Sequence, residues 1–395
     1  MLCSWRVRPF GVAKWLVCLV KVLLLLDYPL PMRLENLDYQ LPPEQIAQRP
    51  LERRDASRLL LLNRSGTFED RWFRELPDLL AGDELLVLNN ARVIPARLFG
   101  RRAGVRSEKP SRSTRAEHLT AKVEVLLTRQ VADDCWEALV RPGRKMRLRE
   151  RVLFGEGELE AEITAREDFG RRTLRFVSHD SRTVNEHMQR LGHVPLPPYI
   201  DRADEVADRE RYQTVFAKRP GAIAAPTAGL HFSEEILQRI RERGVELCEL
   251  TLDIGLGTFQ PVHGETLEGH VMHSETYEIP LETAEHIQAA HTAGRTVLAI
   301  GTTVVRALED AALRAAEAGS SNTVLSGKAE AQLFITPGFR FRAVNALLTN
   351  FHLPRSTLLA LVCAFAGREN VLAAYRHAVD AGYRFYSYGD CMLIG

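Results

Sequence analysis

The segment Val297-Leu-Ala-Ile-Gly-Thr-Thr303 decides the fold class, because it joins a short apolar strand to a polar turn that contains glycine. After it, Val305, Leu308 and Ala312 recur at the spacing of one buried helix face. Residues 346–365 repeat this plan, with an apolar strand, a polar loop and an apolar helix. Strands and helices that alternate in this way form layers, so the sequence predicts an α/β fold. Such folds bind ligands at the carboxyl ends of their strands.

A second polar turn, Ala224-Ala-Pro-Thr-Ala-Gly-Leu-His-Phe232, stands upstream and leads into a helix. Ser233 is a good N-cap for that helix, acidic residues follow it, and Gly244 ends it. The turn therefore holds Thr227 and His231 on a short connection that a packed helix fixes, which is where reactive groups are commonly held. Taken alone, the pattern equally describes a tight turn whose histidine bonds only to backbone.

Between Arg97 and Phe176 the pattern changes to short segments of alternating apolar and polar residues, separated by turn residues. Such segments are typical of a small barrel or sandwich. The sequence thus predicts a larger layered α/β domain, formed by residues 32–96 and 177–395. A small β-barrel domain, residues 97–176, is inserted into it.

Two basic runs lie within this predicted barrel. The first extends from Arg101 to Arg115, and the second surrounds Pro142-Gly143 and consists of Arg141, Arg144, Lys145, Arg147 and Arg149. Each run fits a solvated loop, and each also fits a surface that binds RNA phosphates. The chain has 395 residues and a net charge of only +1, so no overall basic field indicates a nucleic-acid-binding protein. Any contact with nucleic acid must use a local patch.

The first 31 residues differ from the rest, because basic positions precede an apolar run from Trp15 to Leu26. The run is too short to span a bilayer and no small-x-small cleavage site follows it. We interpret residues 1–31 as an atypical extension or an early start, in preference to an export signal. The six cysteines are scattered, without a Cys-x-x-Cys pair, which argues against a disulfide framework or a zinc ribbon. We expect a cytoplasmic protein without membrane contact.

Two motifs allow more than one interpretation. The loop Leu252-Asp-Ile-Gly-Leu-Gly-Thr258 is similar to the first loop of Rossmann-type methyltransferases, but Pro261 opposes the helix that such a loop must open. The segment His270-Val-Met-His-Ser-Glu275 contains residue types that bind metals. In an extended segment His273 and Glu275 share a face and His270 points to the other, which favours a hydrogen-bonded acid–base pair over a metal site. We predict no metal.

Long and unusual blocks of sequence resemble those of one enzyme family. They are Leu41-Pro-Pro-Glu44, Asn89-Asn-Ala-Arg-Val-Ile-Pro-Ala-Arg-Leu98, Pro195-Leu-Pro-Pro-Tyr-Ile200, Tyr212-Gln-Thr-Val215, Ala225-Pro-Thr-Ala-Gly-Leu-His-Phe232, Gly255-Leu-Gly-Thr-Phe259, His270-Val-Met-His-Ser-Glu275, Gly301-Thr-Thr303 with Arg306, Thr349-Asn-Phe-His-Leu-Pro354 and Tyr383-Arg-Phe-Tyr-Ser-Tyr-Gly-Asp390. From Met32 to the C-terminus, the chain resembles the S-adenosylmethionine:tRNA ribosyltransferase-isomerases of queuosine biosynthesis.

This resemblance implies a transferase that moves and isomerises the ribosyl group of S-adenosylmethionine. The acceptor is 7-aminomethyl-7-deazaguanine at the wobble position of tRNA, and the products are epoxyqueuosine, adenine and methionine. It further implies a monomer that acts on tRNAs for Tyr, His, Asn and Asp, uses S-adenosylmethionine as co-substrate and needs no metal. Two rival interpretations remain: an S-adenosylmethionine-dependent tRNA methyltransferase, which would leave S-adenosylhomocysteine, and a non-catalytic RNA-binding module.

The reaction requires proton transfer, and the candidates for it are His231, His270, His273, Glu275 and His352. Our hypothesis is that His231 or His273 is the base and that Glu275 orients it. Asp253 stands where the family usually has histidine, and its carboxylate is anionic at neutral pH unless it is buried.

The remaining candidates bind the two substrates. Small residues permit close backbone approach and an arginine pairs with a carboxylate, so those for the methionine and ribosyl groups are Thr227, Gly255, Gly257, Thr258, Thr302 and Arg306. Aromatic candidates for facing the sulfonium or stacking on a base are Phe351, Tyr388 and Tyr199. Candidates for the anticodon loop are Arg92, Arg97, Tyr212 and Gln213.

Overall fold

The computed structural model describes residues 33–105, 121–167, 170–255, 266 and 274–395. The strands are β1 Arg58–Leu62, β2 Phe68–Trp72, β3 Leu85–Asn89, β4 Ala91–Val93, β5 Arg97–Val105, β6 Lys122–Ala132, β7 Cys135–Arg141, β8 Glu150–Phe154, β9 Leu159–Arg166, β10 Arg171–Ser178, β11 Arg219–Ala222, β12 Glu246–Leu252, β13 Glu275–Ile279, β14 Val297–Ile300, β15 Gly327–Ala331, β16 Ala346–Asn350 and β17 Cys391–Ile394. The α-helices are α1 Leu76–Leu79, α2 Val184–Leu191, α3 Asp208–Arg211, α4 Glu234–Glu242, α5 Leu281–Thr292, α6 Thr302–Glu317, α7 Thr357–Ala366 and α8 Arg368–Asp380. Short 3₁₀ turns include Pro43–Gln45 and Thr227–His231.

The larger unit is a nine-stranded sheet in the order β15-β13-β12-β3-β14-β16-β17-β1-β2. Its central strands β12, β3, β14 and β16 run parallel, so their carboxyl ends share one edge. Strand β17 runs antiparallel to β16, and β1 runs parallel to β17, which brings the residues that precede β1 and β17 to the same edge. Strand β13 runs antiparallel to β12, so Glu275, its first residue, also lies there. We call this the C-terminal edge of the sheet.

Helices cover both faces of the sheet. Strands β3 and β16 are buried along their whole length, as expected of strands enclosed by two helical layers. Helices α5 to α8 pack on one face, and α1 and α4 pack on the other. In α4 the apolar residues Ile236, Leu237 and Ile240 form the buried side, and the Ser233 hydroxyl caps the helix by accepting from the Ile236 amide at 3.4 Å. The predicted α/β layering is confirmed.

The smaller unit is a closed barrel with the strand order β10-β7-β6-β5-β8-β9. Its core includes Trp136, Phe154 and Phe176. The strand signals had not indicated β5, which contains two glycines. A Cβ on Gly100 would lie 2.5 Å from Cγ1 of Val152 in β8, the strand that pairs with β5. Glycine is therefore needed at this position. The prediction of a barrel inserted into an α/β fold is confirmed. The domain boundaries at residues 97 and 176 stay a prediction; the barrel strands begin at Arg97 and end at Ser178.

Two expectations concern the membrane and the N-terminus. Within the described part of the chain, no single helix is both long and apolar enough to cross a membrane. Helices α7 and α8 meet that requirement by length and composition only when they are taken together, and they are bent by 115°. Residues 1–31 lie outside the described residues, so their interpretation stays a prediction.

Candidate functional site

A cavity opens at the C-terminal edge of the sheet, and concave sites with a few convergent polar groups are where small molecules commonly bind. Three polar connections form its walls: the turn at Ala224 to Thr227, the start of α6 at Thr302, and the loop after β16 that carries His352. Tyr199 and Phe351 also line it. The predicted residues Thr227, Thr302 and His352 are therefore brought together, although 125 positions separate the first from the last (352 − 227).

The wall from α6 depends on Gly301. This residue has φ +100° and ψ 152°, a conformation that essentially only glycine adopts, and it allows β14 to turn directly into α6. As a result, the amino end of a 16-residue helix and the buried hydroxyls of Thr302 and Thr303 lie at the cavity. Backbone amides and the helix dipole at such an end favour a bound anion.

Tyr386 lines the cavity and was not among the sequence-based candidates. Its φ is +71°, a left-handed conformation that costs a non-glycine residue about 1–3 kcal/mol and is found often at functional sites. Its hydroxyl is buried and has no hydrogen-bond partner among the described residues. Its ring lies 4.6 Å from that of Tyr199, whose hydroxyl is 2.6 Å from the Ser387 hydroxyl. The block Tyr383–Asp390 was the sequence signal that could have identified it.

His231 lies behind the cavity and contacts it through Asn350. Its Nδ1 is 2.7 Å from the Ser57 hydroxyl and its Nε2 is 3.1 Å from the Asn350 side-chain nitrogen. Burial, helped by the charges of Arg384 and Arg54, lowers the pKa of His231 to about 3, so the ring is neutral.

The protonation of this neutral ring follows from Asn350. The asparagine nitrogen also donates to the Tyr386 carbonyl at 3.1 Å, which fixes the amide orientation. It therefore donates to Nε2 of His231, and Nδ1 carries the proton and donates to Ser57. Asn350 lines the cavity, and its Oδ1 is buried without a partner among the described residues. Asn350 belongs to the block Thr349–Pro354 but was not among the predicted site residues.

His352 lines the cavity itself and is also neutral, because burial lowers its pKa to about 3. Its Nε2 is 2.8 Å from the Thr349 hydroxyl. That hydroxyl donates to the Asn350 carbonyl at 3.3 Å, so Nε2 of His352 is the donor and its Nδ1 is the acceptor. The His352 backbone is fixed by the Tyr39 and Tyr375 hydroxyls, one on its carbonyl and one on its amide.

Glu275 and Arg306 form a buried ion pair between Oε2 and Nη1. Their side chains are 2% and 6% exposed. Arg306 Nε donates to the Leu333 carbonyl at 3.3 Å, and its Nη2 is buried without a partner among the described residues. The charge of Arg306, which the sequence assigned to a substrate carboxylate, is thus already matched by a protein carboxylate.

A second cleft separates the barrel from the sheet. Its walls include Arg129 and Trp136 from the barrel, and Asp253, Gly255 and Glu275 from the larger unit. Burial raises the pKa of Asp253, while the charges of Arg219 and Lys328 act in the opposite direction. Gly255 and Glu275 therefore lie at this cleft. The predicted site residues are thus divided between the cavity and the second cleft.

The four residues assigned to the anticodon loop have different surroundings. Arg92 is exposed. Arg97 pairs with Glu124 at 3.3 Å and donates to the Leu196 carbonyl at 3.0 Å. Tyr212 is fully buried, and the Gln213 amide bonds at both ends to the backbone of Val93, at 3.0 and 2.7 Å. Of these four residues, Arg92 alone has an exposed side chain. Contact of the four with RNA stays a prediction.

The aromatic candidates differ in the same way. The Tyr388 hydroxyl donates to Asp208 at 2.8 Å, and its ring packs against Tyr212, so it contacts protein on both sides. Four further candidates, Gly257, Thr258, His270 and His273, lie outside the described residues, and their roles stay predictions. Within the described ranges, no group of three His, Cys, Asp or Glu side chains is arranged to hold a metal ion.

Comparisons with known proteins match nearly the whole chain. The family model "Queuosine biosynthesis protein" covers residues 34–394. An S-adenosylmethionine:tRNA ribosyltransferase-isomerase from Solibacter usitatus is 53% identical over 368 residues, covering 92% of this chain and 100% of the relative. One from Moorella thermoacetica is 49% identical over 364 residues, with the same two coverages. The solved S-adenosylmethionine tRNA ribosyltransferase of Thermotoga maritima is 34% identical, covers 91% of this chain and 100% of its own, and gives a TM-score of 0.48.

Proposed function

The chain belongs to the queuosine biosynthesis protein family as a ribosyltransferase-isomerase, and we propose that it acts on S-adenosylmethionine and the anticodon of tRNA. The ribosyl group is transferred to 7-aminomethyl-7-deazaguanine at the wobble position and isomerised to epoxyqueuosine, with release of adenine and methionine. The observation that supports this most is the cavity, because five separate sequence blocks of the resemblance supply its walls. The methyltransferase alternative finds no support in the family or the relatives.

We place the methionine end of S-adenosylmethionine against the start of α6. The first-turn amides, Thr302 and Thr303 offer donors to its carboxylate, and the helix dipole favours the negative charge. The adjacent rings of Tyr199 and Tyr386, tilted by 37° to each other, suit the positive sulfonium, since aromatic faces attract cations. Arg306 keeps Glu275 as its partner in this arrangement, and its Nη2 alone remains for a substrate oxygen.

The candidate histidines have two different roles in this proposal. A general base works best when its pKa is near the operating pH, and burial holds the pKa of His231 and His352 at about 3. We therefore assign these two rings to hydrogen bonding as neutral groups, His352 at the cavity wall and His231 through Asn350. The base in this proposal is His273, which precedes Glu275 by two positions in sequence.

Product analysis tests the function directly. The protein is incubated with labelled S-adenosylmethionine and tRNA that carries the deazaguanine, and small molecules and nucleosides are identified. Adenine, methionine and epoxyqueuosine are expected. S-adenosylhomocysteine would identify a methyltransferase, and tRNA binding without turnover would identify a binding module.

Three substitutions test the division of roles. His273→Ala is expected to abolish adenine release, whereas His231→Ala and His352→Ala are expected to reduce it without shifting its pH optimum. His377→Ala is the matched control, because His377 pairs with Asp70 on a different part of the protein. Full activity in His273→Ala would remove that residue as the base.

A further inference from the structure

Residues 141–149, from the last residue of β7 to the residue before β8, carry an unusual concentration of positive charge, and we call them the basic loop. Its five cationic residues, Arg141, Arg144, Lys145, Arg147 and Arg149, are all exposed. None of them forms an ion pair with a carboxylate of the described residues. Most other arginines of the barrel are paired, for example Arg102 with Glu150 and Arg151 with Glu160. Five unpaired charges are therefore concentrated in one loop.

A buried arginine holds the basic loop in place. Arg172 is 3% exposed and donates to the Gly143 carbonyl at 2.6 Å and the Met146 carbonyl at 3.1 Å. It also donates to the Glu167 and Arg171 carbonyls, at 3.0 and 2.6 Å. All four partners are neutral, so the charge of Arg172 adds to the field of the loop. Met146 is fully buried in the barrel core and anchors the middle of the loop. The loop is thus a supported structure, which distinguishes it from a solvated tail.

The basic loop opens onto a groove that leads to the C-terminal edge of the sheet. The outer part is lined by Arg141, Arg144, Arg166 and Arg172. The middle part shares Arg172 with the outer part and reaches Gly255. The inner part shares Gly255 with the middle part and ends at Asp253 and Glu275.

The groove has acidic positions as well. Glu137 is paired with Arg129, Glu330 also lines the middle part, and Glu167 lines both the middle and the outer part. Four arginines against one glutamate make positive charge predominate at the outer end, and the other carboxylates lie further in.

We propose that the basic loop binds consecutive phosphates of the RNA strand whose target base enters the inner end of the groove. This inference depends on the proposed function, because it takes tRNA as the substrate. Arginine pairs with phosphate through two parallel N–H donors, and lysine binds it as a point charge. Residues 141–149 contain no aromatic side chain, so the loop has no platform for stacking on bases. Recognition here is of the backbone and is independent of sequence.

The salt dependence of tRNA binding tests the proposal. Each phosphate contact contributes about 0.7 to 0.9 to the slope of log K against log salt. The double variant Arg144→Gln/Lys145→Gln should therefore lower that slope by about 1.5. Its affinity at 0.1 M potassium chloride should fall roughly 30-fold relative to the unaltered protein. The Michaelis constant for tRNA should rise, with S-adenosylmethionine binding unchanged.

The control removes two charges elsewhere. Arg71→Gln/Arg241→Gln changes exposed arginines on β2 and α4, which line none of the three parts of the groove. This control has the same net charge as Arg144→Gln/Lys145→Gln and should keep the salt-dependence slope of the unaltered protein. Equal slopes in the two double variants would overturn the proposal. Should Arg144→Gln/Lys145→Gln not fold, as judged by its melting curve, the single variant Arg147→Gln replaces it, with an expected fall in slope of about 0.8.

Two further outcomes separate this proposal from its neighbours. If the unaltered protein releases no adenine but the slope still falls in the loop variant, the proposed reaction is wrong and the RNA-binding loop stands. If anionic phosphatidylserine vesicles lose affinity in the loop variant while tRNA binding does not change, the loop binds a lipid surface and the RNA proposal is wrong.

Discussion

Replacing Glu275 with glutamine tests whether the buried ion pair with Arg306 stabilises the C-terminal edge of the sheet. The two side chains are 2% and 6% exposed, so the guanidinium left behind cannot regain water. Its Nε keeps the Leu333 carbonyl, but its charge has no counterion in that contact. Breaking a buried pair from one side costs about 3–5 kcal/mol, and we expect Glu275→Gln to lower the free energy of unfolding by that amount.

A double-mutant cycle completes this prediction. Arg306→Met removes the second charge, and replacing both members of a buried pair is often close to neutral, so Glu275→Gln/Arg306→Met should be more stable than Glu275→Gln alone. Urea unfolding at neutral pH measures each free energy. The exposed pair of Arg71 and Glu69 is the control, and Glu69→Gln should cost less than about 1 kcal/mol. The reasoning is refuted if Glu275→Gln costs no more than Glu69→Gln, or if the two changes are additive.

The other predictions concern histidines, a glycine and a helix cap. Burial lowers the pKa of His231 and His352 from 6.5 to about 3, so below pH 6.5 the unfolded chain binds more protons than the folded chain. As the pH falls from roughly 6 to 3, each histidine therefore lowers the free energy of unfolding by about 1.4 kcal/mol per pH unit. Asparagine at either position should flatten this dependence in acid unfolding, and an unchanged slope contradicts the burial argument. Gly301→Ala should cost about 1–3 kcal/mol through its positive φ and weaken S-adenosylmethionine binding by calorimetry; unaltered binding would separate this turn from the site. Ser356→Ala removes the cap that accepts from the α7 backbone at 3.2 Å and should lower the free energy of unfolding by about 1 kcal/mol, unlike Ser65→Ala on the surface.

Local signals were sufficient to predict the layered fold. Apolar runs, capping hydroxyls and glycine turns mark β14, α6 and β16 directly in the sequence, because each depends on neighbouring residues. Strand β17 was not predicted, since it is short and it pairs Cys391 with Leu59, which is 332 positions away (391 − 59). Strand β5 was hidden for a similar reason, because Gly100 is required by β8 rather than by its own segment.

The site was predictable where it follows strand ends and unpredictable where distant groups meet. Thr302 and His352 were found because polar residues after buried strands gather at one edge. The ion pair of Arg306 with Glu275 joins a helix to a strand 31 positions away, and no spacing rule indicates it. The sequence also could not tell that Tyr212, an aromatic residue in a polar segment, is fully enclosed.

The position of β17 has a consequence for the order of folding. The barrel joins strands that are all contained within residues 97–178, so it can close while the rest of the chain is still unfolded. The sheet cannot: β17 lies inside it, between β16 and β1, and contacts of such long range are slow to form because a very large loop must close first. We therefore expect refolding in two stages. The barrel forms early, and the cavity forms only after β17 has paired with β1.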